Sequence, residues 1–143
     1  MIWRDKAWGQ TRCLWLGAEA SEHQLKVNEG GFCSFHYHKE RANYFRVTYG
    51  LVRVIWTIGW QIFHKDLTAD EPTLVIPALI CHQFQVIESG EMYEVYRPDR
   101  GADRVREDDI ERLCQGDAID RGSKFLHPVC VWHSGDKHWI PSL

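Results

Sequence analysis

The sequence predicts an all-β barrel or sandwich, and three observations lead there. Short apolar segments recur along the chain, each closed by a turn signal. Aromatic residues are dense, at 13% of the 143 residues with seven Trp, and with the β-branched residues they favour strands over helices. No repeat at solenoid spacing and no low-complexity run competes with this reading.

Eight strands follow in order. Thr11 to Leu16 is the first, and Gln24 to Asn28 is a weaker second that closes at Glu29-Gly30-Gly31. Phe32 to His38 leads into the charged turn Lys39-Glu40-Arg41. Asn43 to Tyr49 stops at Gly50, and the strongly apolar Leu51 to Ile58 stops at Gly59. Thr73 to Ile76 lies between Pro72 and Pro77, His82 to Ile87 ends at Ser89-Gly90, and Glu91 to Arg97 ends at Pro98. Beyond that the composition changes, with 11 of the 16 residues from Arg97 to Arg112 charged. This run reads as a solvated surface segment. Within it Asp108-x-x-Glu111 can cap a short helix with Ile110, Leu113 and Cys114 on one face. An irregular tail follows from Gly116. One domain over 1–143 is expected, with a barrel at about 10–97 and a charged helical segment and tail at 98–143.

Composition excludes some functions. A net charge of −3 argues against a basic face for nucleic acid. No stretch approaches 18 apolar residues, so no membrane span is expected. Met1 to Lys6 lacks the apolar core of a signal peptide. Five cysteines, an odd number without C-x-x-C spacing, suggest free thiols and a cytoplasmic protein.

Chemistry is concentrated in three of the eight histidines. His36 and His38 are two apart in a strand, so both side chains face one way and converge on a point. His82 opens a later strand that can lie beside the first in a barrel. Three imidazoles suit Zn, Fe, Ni, Mn or Cu better than Mg or Ca. The remaining histidines, His23 among them, read as structural. Alternation puts Asn43, Phe45 and Val47 on one face, and Val52, Val54 and Trp56 on one face of the next strand. Phe84 shares the face of His82. Phe45, Val47, Val54, Trp56 and Phe84 would line an apolar pocket for a small molecule.

These spacings resemble the cupin family. Its first motif, G-x5-H-x-H-x3,4-E-x6-G, is met by Gly30, His36, His38 and Gly50, with Asn43 at the glutamate. Its second, G-x5-P-x-G-x2-H-x3-N, keeps Pro77 and His82, with Glu71 and Leu79 at the glycines and Val86 at the asparagine. The resemblance, over about residues 10 to 97, implies a double-stranded β-helix (a jelly-roll barrel) holding a divalent transition ion on His36, His38 and His82. Asn43 falls at the family's fourth ligand, and a homodimer is implied. Trp8-Gly9, Glu94 to Pro98 and Glu107 to Leu113 also resemble mannose-6-phosphate isomerase-type cupins, which implies a sugar-phosphate or nucleotide-sugar ligand. Three functions follow as expectations. One is a metal-dependent isomerase or epimerase of a sugar or sugar phosphate, with Glu94 or Tyr49 as base. Another is an Fe(II) three-histidine dioxygenase of a small thiol. The third is a ligand-binding module without catalysis.

Overall fold

A computed structural model describes residues 2–119, 127–131 and 137–139. Its frame is two 18-residue strands, β6 (Arg41–Ile58) and β9 (Cys81–Pro98), paired antiparallel from Arg41↔Pro98 to Thr57↔Cys81. Sequence reading breaks each of these into two strands at a glycine. The structure keeps them continuous and bends them there. Gly50 takes φ +83, a left-handed conformation that a side chain disfavours. The pairing shifts register at Val47/Tyr49, Tyr49/Leu51 and Leu51/Val52, and such bulges curl a sheet.

The bend divides the sheet into two faces. The first half of β6 pairs with β8 (Leu74–Ile76), and its second half pairs with β7 (Gln61–Leu67). The later half of β9 pairs with β3 (Ser21–Val27), which carries β2 (Gly9–Leu16) and β1 (Arg4–Lys6) outward. The early half of β9 meets β4 (Gly31–Phe32) and β5 (Phe35–Tyr37). The two halves close on one core. Leu25, Val27, Phe45, Val47, Ile76 and Met92 come from one half, and Val52, Val54, Leu67, Phe84 and Val86 from the other. Trp8 packs edge-on against Phe84 across the gap, with ring centroids 5.0 Å apart.

β7 went unread because its residues are mostly polar and exposed, so it lacks the apolar alternation of a two-sided strand. The predicted C-terminal helix is absent, and no helix occurs among the described residues. Glu111–Cys114 is instead strand β10, paired with β5 through Glu111↔Tyr37 and Arg112↔His36. Asp108 therefore has no helix to cap, and the neighbouring Asp109 carboxylate has another use. It accepts the backbone N–H groups of Lys39 (2.8 Å) and Glu40 (2.9 Å). The charged run is therefore more than solvated surface. Val105 is buried, and the Asp99 carboxylate accepts the Ala78 N–H at 2.9 Å. Beyond it, β11 (Asp117–Ala118) pairs with β4, and β12 (Val129–Val131) forms a ribbon with β13 (Lys137–Trp139). Cys13, Cys33 and Cys81 are free as expected, but Cys114 is disulfide-bonded, which corrects the reading of five free thiols. No described helix is long and apolar enough to cross a membrane.

The bend makes a sharp prediction. A Cβ on Gly90 would press into the Tyr49 carbonyl and lie 2.8 Å from the Gly50 Cα. Both are backbone atoms of the paired strand, so neither can turn aside. Gly90→Ala should cost about 2 kcal/mol and lower Tm by roughly 5–10 °C. An unchanged Tm in a thermal melt would contradict this account of the corner.

Candidate metal centre

The two faces bring the three histidines together at one end of the barrel. His36 lies in β5 directly opposite His82 at the start of β9. His38 follows β5, where the turn capped by Asp109 begins, and its carbonyl accepts the Leu79 N–H at 2.7 Å. Leu79 holds φ 71. It stands where the second motif has a glycine, so the left-handed backbone survives without the residue that favours it. The ligating atoms of His36, His38 and His82 all lie within 4.8 Å of one another, and all three side chains are buried. Their ring centroids are 4.5 to 5.3 Å apart.

Backbone carbonyls fix the rings. Nδ1 of His36 lies 2.8 Å from the Ser34 carbonyl, Nδ1 of His38 2.7 Å from that of Asp109, and Nδ1 of His82 2.8 Å from that of Ile80. Each Nδ1–H is therefore a donor, and each Nε2 keeps its lone pair. Carbonyl partners of this kind orient ligating imidazoles and raise their basicity.

Electrostatics keep the rings neutral. Burial and the neighbouring His82 and His38 hold His36 well below the usual imidazole range. Burial, with His82 and Arg41, lowers His38 to about 3. Burial, with Arg41, lowers His82 to about 4. The consequence for stability has a definite sign. Below pH 6.5 the unfolded chain takes up protons that the folded, metal-free chain refuses. Stability is full above that pH and falls as pH drops toward the range where His38 and His82 titrate. Each ring contributes up to about 1.4 kcal/mol per pH unit. Glu94, raised by burial, acts in the opposite direction, as one group against the three rings. The urea midpoint of the metal-free protein should drop between pH 7 and pH 5, and a flat profile would contradict the buried neutral triad.

The donor set fits a divalent transition ion. His38 Nε2 is buried without a partner, an omission that costs about 1–3 kcal/mol and that a cation would remove. Asn43 Oδ1 sits 3.1 Å from His82 Nε2, so two lone-pair atoms face each other. A cation shared between them relieves that repulsion, as does a turned amide in the metal-free state. Neutral nitrogens with one amide oxygen match Zn, Fe, Ni, Mn or Cu rather than Mg or Ca.

A cavity of about 1230 Å³ opens beside the triad, with His36, Cys33, Arg41, Phe84, Glu94 and Tyr96 in its wall. Glu94 is buried, and its carboxylate accepts the Tyr96 hydroxyl at 2.6 Å. Burial pushes the Glu94 carboxyl above its usual range, against the pull of Tyr96 and Arg41. Tyr96 is raised well above the ordinary phenol value by burial and by Glu94, so it stays a donor. Of the expected pocket residues, Phe84 lines the cavity and Phe45 packs on the His82 ring with centroids 5.8 Å apart. Val47 and Val54 lie in the barrel core, and Trp56 packs against it while stacking on Phe63. Tyr49 is 57% exposed at the strand corner, and the cavity does not include it.

Among the wall residues that escaped the sequence reading are His23, Cys33, Arg41 and Tyr96. His23 alternates with Leu25 on β3 and stands opposite Glu94, so strand parity alone could have turned it inward. Its Nε2 lies 3.6 Å from Glu107, and its ring meets the edge of Tyr96.

No known family profile matches the chain, and no curated protein matches it in sequence. Solved structures do match. The chain is similar to an arginine-to-alanine variant of Bacillus subtilis oxalate decarboxylase, with a TM-score of 0.66 at 19% identity. It is similar to the same enzyme at pH 4.6 (TM-score 0.65, 19% identity) and to a tryptophan-to-tyrosine variant (0.65, 20%). Each match covers 78% of this chain but 30% of the other, so the chain spans under a third of those proteins. The likeness establishes the fold, which is that of a cupin. Within that fold, the three-histidine centre fits a divalent metal ion.

Proposed function

We propose that the protein is a metal-dependent enzyme that moves a proton on a small, oxygen-rich substrate, an isomerase or epimerase of a sugar or sugar phosphate. The observation that carries this reading is Glu94, a buried carboxyl with a raised pKa in the wall of the cavity that His36 of the triad also lines. A group shifted toward neutral pH can both take and return a proton. An ion held by His36, His38 and His82, with Asn43 beside them, would supply Lewis acidity toward a carbonyl or hydroxyl oxygen. Glu94 takes the proton from the hydroxyl-bearing carbon next to the carbonyl and returns it to the carbonyl carbon, while the hydroxyl proton passes to the former carbonyl oxygen. Tyr96 keeps its own proton and aims the carboxylate. Glu94 rather than Tyr49 is the base in this account, since the cavity wall contains only the former. The barrel supports a second reading through Asn43. With no glutamate beside the triad, the ligand set resembles that of the Fe(II) thiol dioxygenases, and oxygen uptake with small thiols tests it.

The test of the first reading is direct. Metal-loaded protein in deuterium oxide, given a panel of hexose and pentose phosphates, should exchange aldose with ketose, or invert one centre, with label entering at the reacting carbon. No exchange across the panel rejects it.

A further inference from the structure

We propose that Arg41 is an anion anchor, so that the substrate carries a carboxylate or phosphate group that docks on its guanidinium beside the histidines. The inference rests on the reading that this cavity handles a small substrate, and it names the charge of that substrate. Arg41 is 4% exposed, yet among the described residues it forms no ion pair. A buried charge is costly unless something compensates it. Its protein contacts leave it under-used. Nε lies 3.2 Å from His38 Nδ1, Nη1 donates to the Arg106 carbonyl at 3.1 Å, and the plane lies 3.8 Å from the Tyr96 ring centroid. Among the described residues, at most two of its five N–H donors find protein acceptors. Because His38 Nδ1 already donates to Asp109, the Nε contact is not a donated bond at all.

The group is thus held rigidly, stacked on Tyr96 and in the cavity wall, with donors to spare. A planar fork of this kind matches an oxyanion in two-point contact. The rest of the wall has the same sign. Arg4, Lys6, Arg12, Arg41 and Arg112 face only Glu94 and Glu107. Five cations against two anions in a chain of net charge −3 is a local inversion, and it attracts anions to the mouth. A divalent ion would add to it.

Calorimetric titration of zinc-loaded protein with inorganic phosphate, and separately with malonate, tests the anchor and tells phosphate from carboxylate. At least one anion should bind. Arg41→Met should weaken that binding about 10- to 100-fold while the bound zinc, counted by elemental analysis, stays at one per chain. Arg41→Lys keeps the charge without the fork and should fall between the two, which preserves the test if the Met variant does not fold. Failure of both anions to bind the unaltered protein, or equal binding by either variant, overturns the anchor. Anion binding lost in Arg41→Met without any sugar turnover upholds the anchor and removes the isomerase. Turnover of neutral sugars without anion binding does the reverse.

Discussion

His82→Ala should strip the protein of its divalent ion. His82 is fully buried, pairs in register with His36, and shares its Nε2 region with Asn43. Losing even an outer partner of a metal ligand weakens affinity about 10- to 100-fold, so loss of the ligand itself should exceed 100-fold. Elemental analysis after dialysis should read one ion per chain in the unaltered protein and none in the variant. The thermal shift on adding metal should vanish with it. That shift corresponds to about 2.7 kcal/mol at a hundredfold excess over Kd. A variant that keeps one tightly held ion would show that the triad is not the site.

Glu94→Gln should separate chemistry from binding. The amide keeps the size of the carboxyl and can still meet the Tyr96 hydroxyl, but it cannot take a proton. Positioned acid–base groups contribute about 100- to 10,000-fold, and kcat should fall by that much. Metal content should not change, because Glu94 is outside the ligand set. KM should move little, and the pH dependence of kcat should lose the limb that Glu94 supplies. Full turnover in this variant would move the base elsewhere in the cavity, and His23, whose ring meets the edge of Tyr96, is the next residue to examine.

What the sequence disclosed and what it concealed have physical causes. The histidine spacing was readable because strand parity is strict over two residues and needs no tertiary knowledge. Alternation then failed at one place. Asn43, Phe45 and Val47 face inward, so Tyr49 ought to, but the register shift between Val47 and Tyr49 and the turn at Gly50 expose it. Glu94 obeys the rule from the other side, since the pairing of β9 runs without a shift from Met92 to Pro98. The helix expected at Asp108 to Leu113 was a local pattern without its context. Asp109 caps the Lys39–Glu40 backbone instead, and the following residues complete a strand pair with β5. Arg41 was hidden for a similar reason. It sits in a charged turn of the sequence, and the Tyr96 ring and the Arg106 carbonyl, 55 and 65 residues further on, help to bury it.

Anomalous diffraction from crystals of the metal-loaded protein, recorded at the absorption edge of the bound ion, addresses the centre of this account. One strong peak should appear between the Nε2 atoms of residues 36, 38 and 82, inside the barrel. No peak there, with the ion elsewhere on the chain or missing, would mean that these imidazoles do not share a cation.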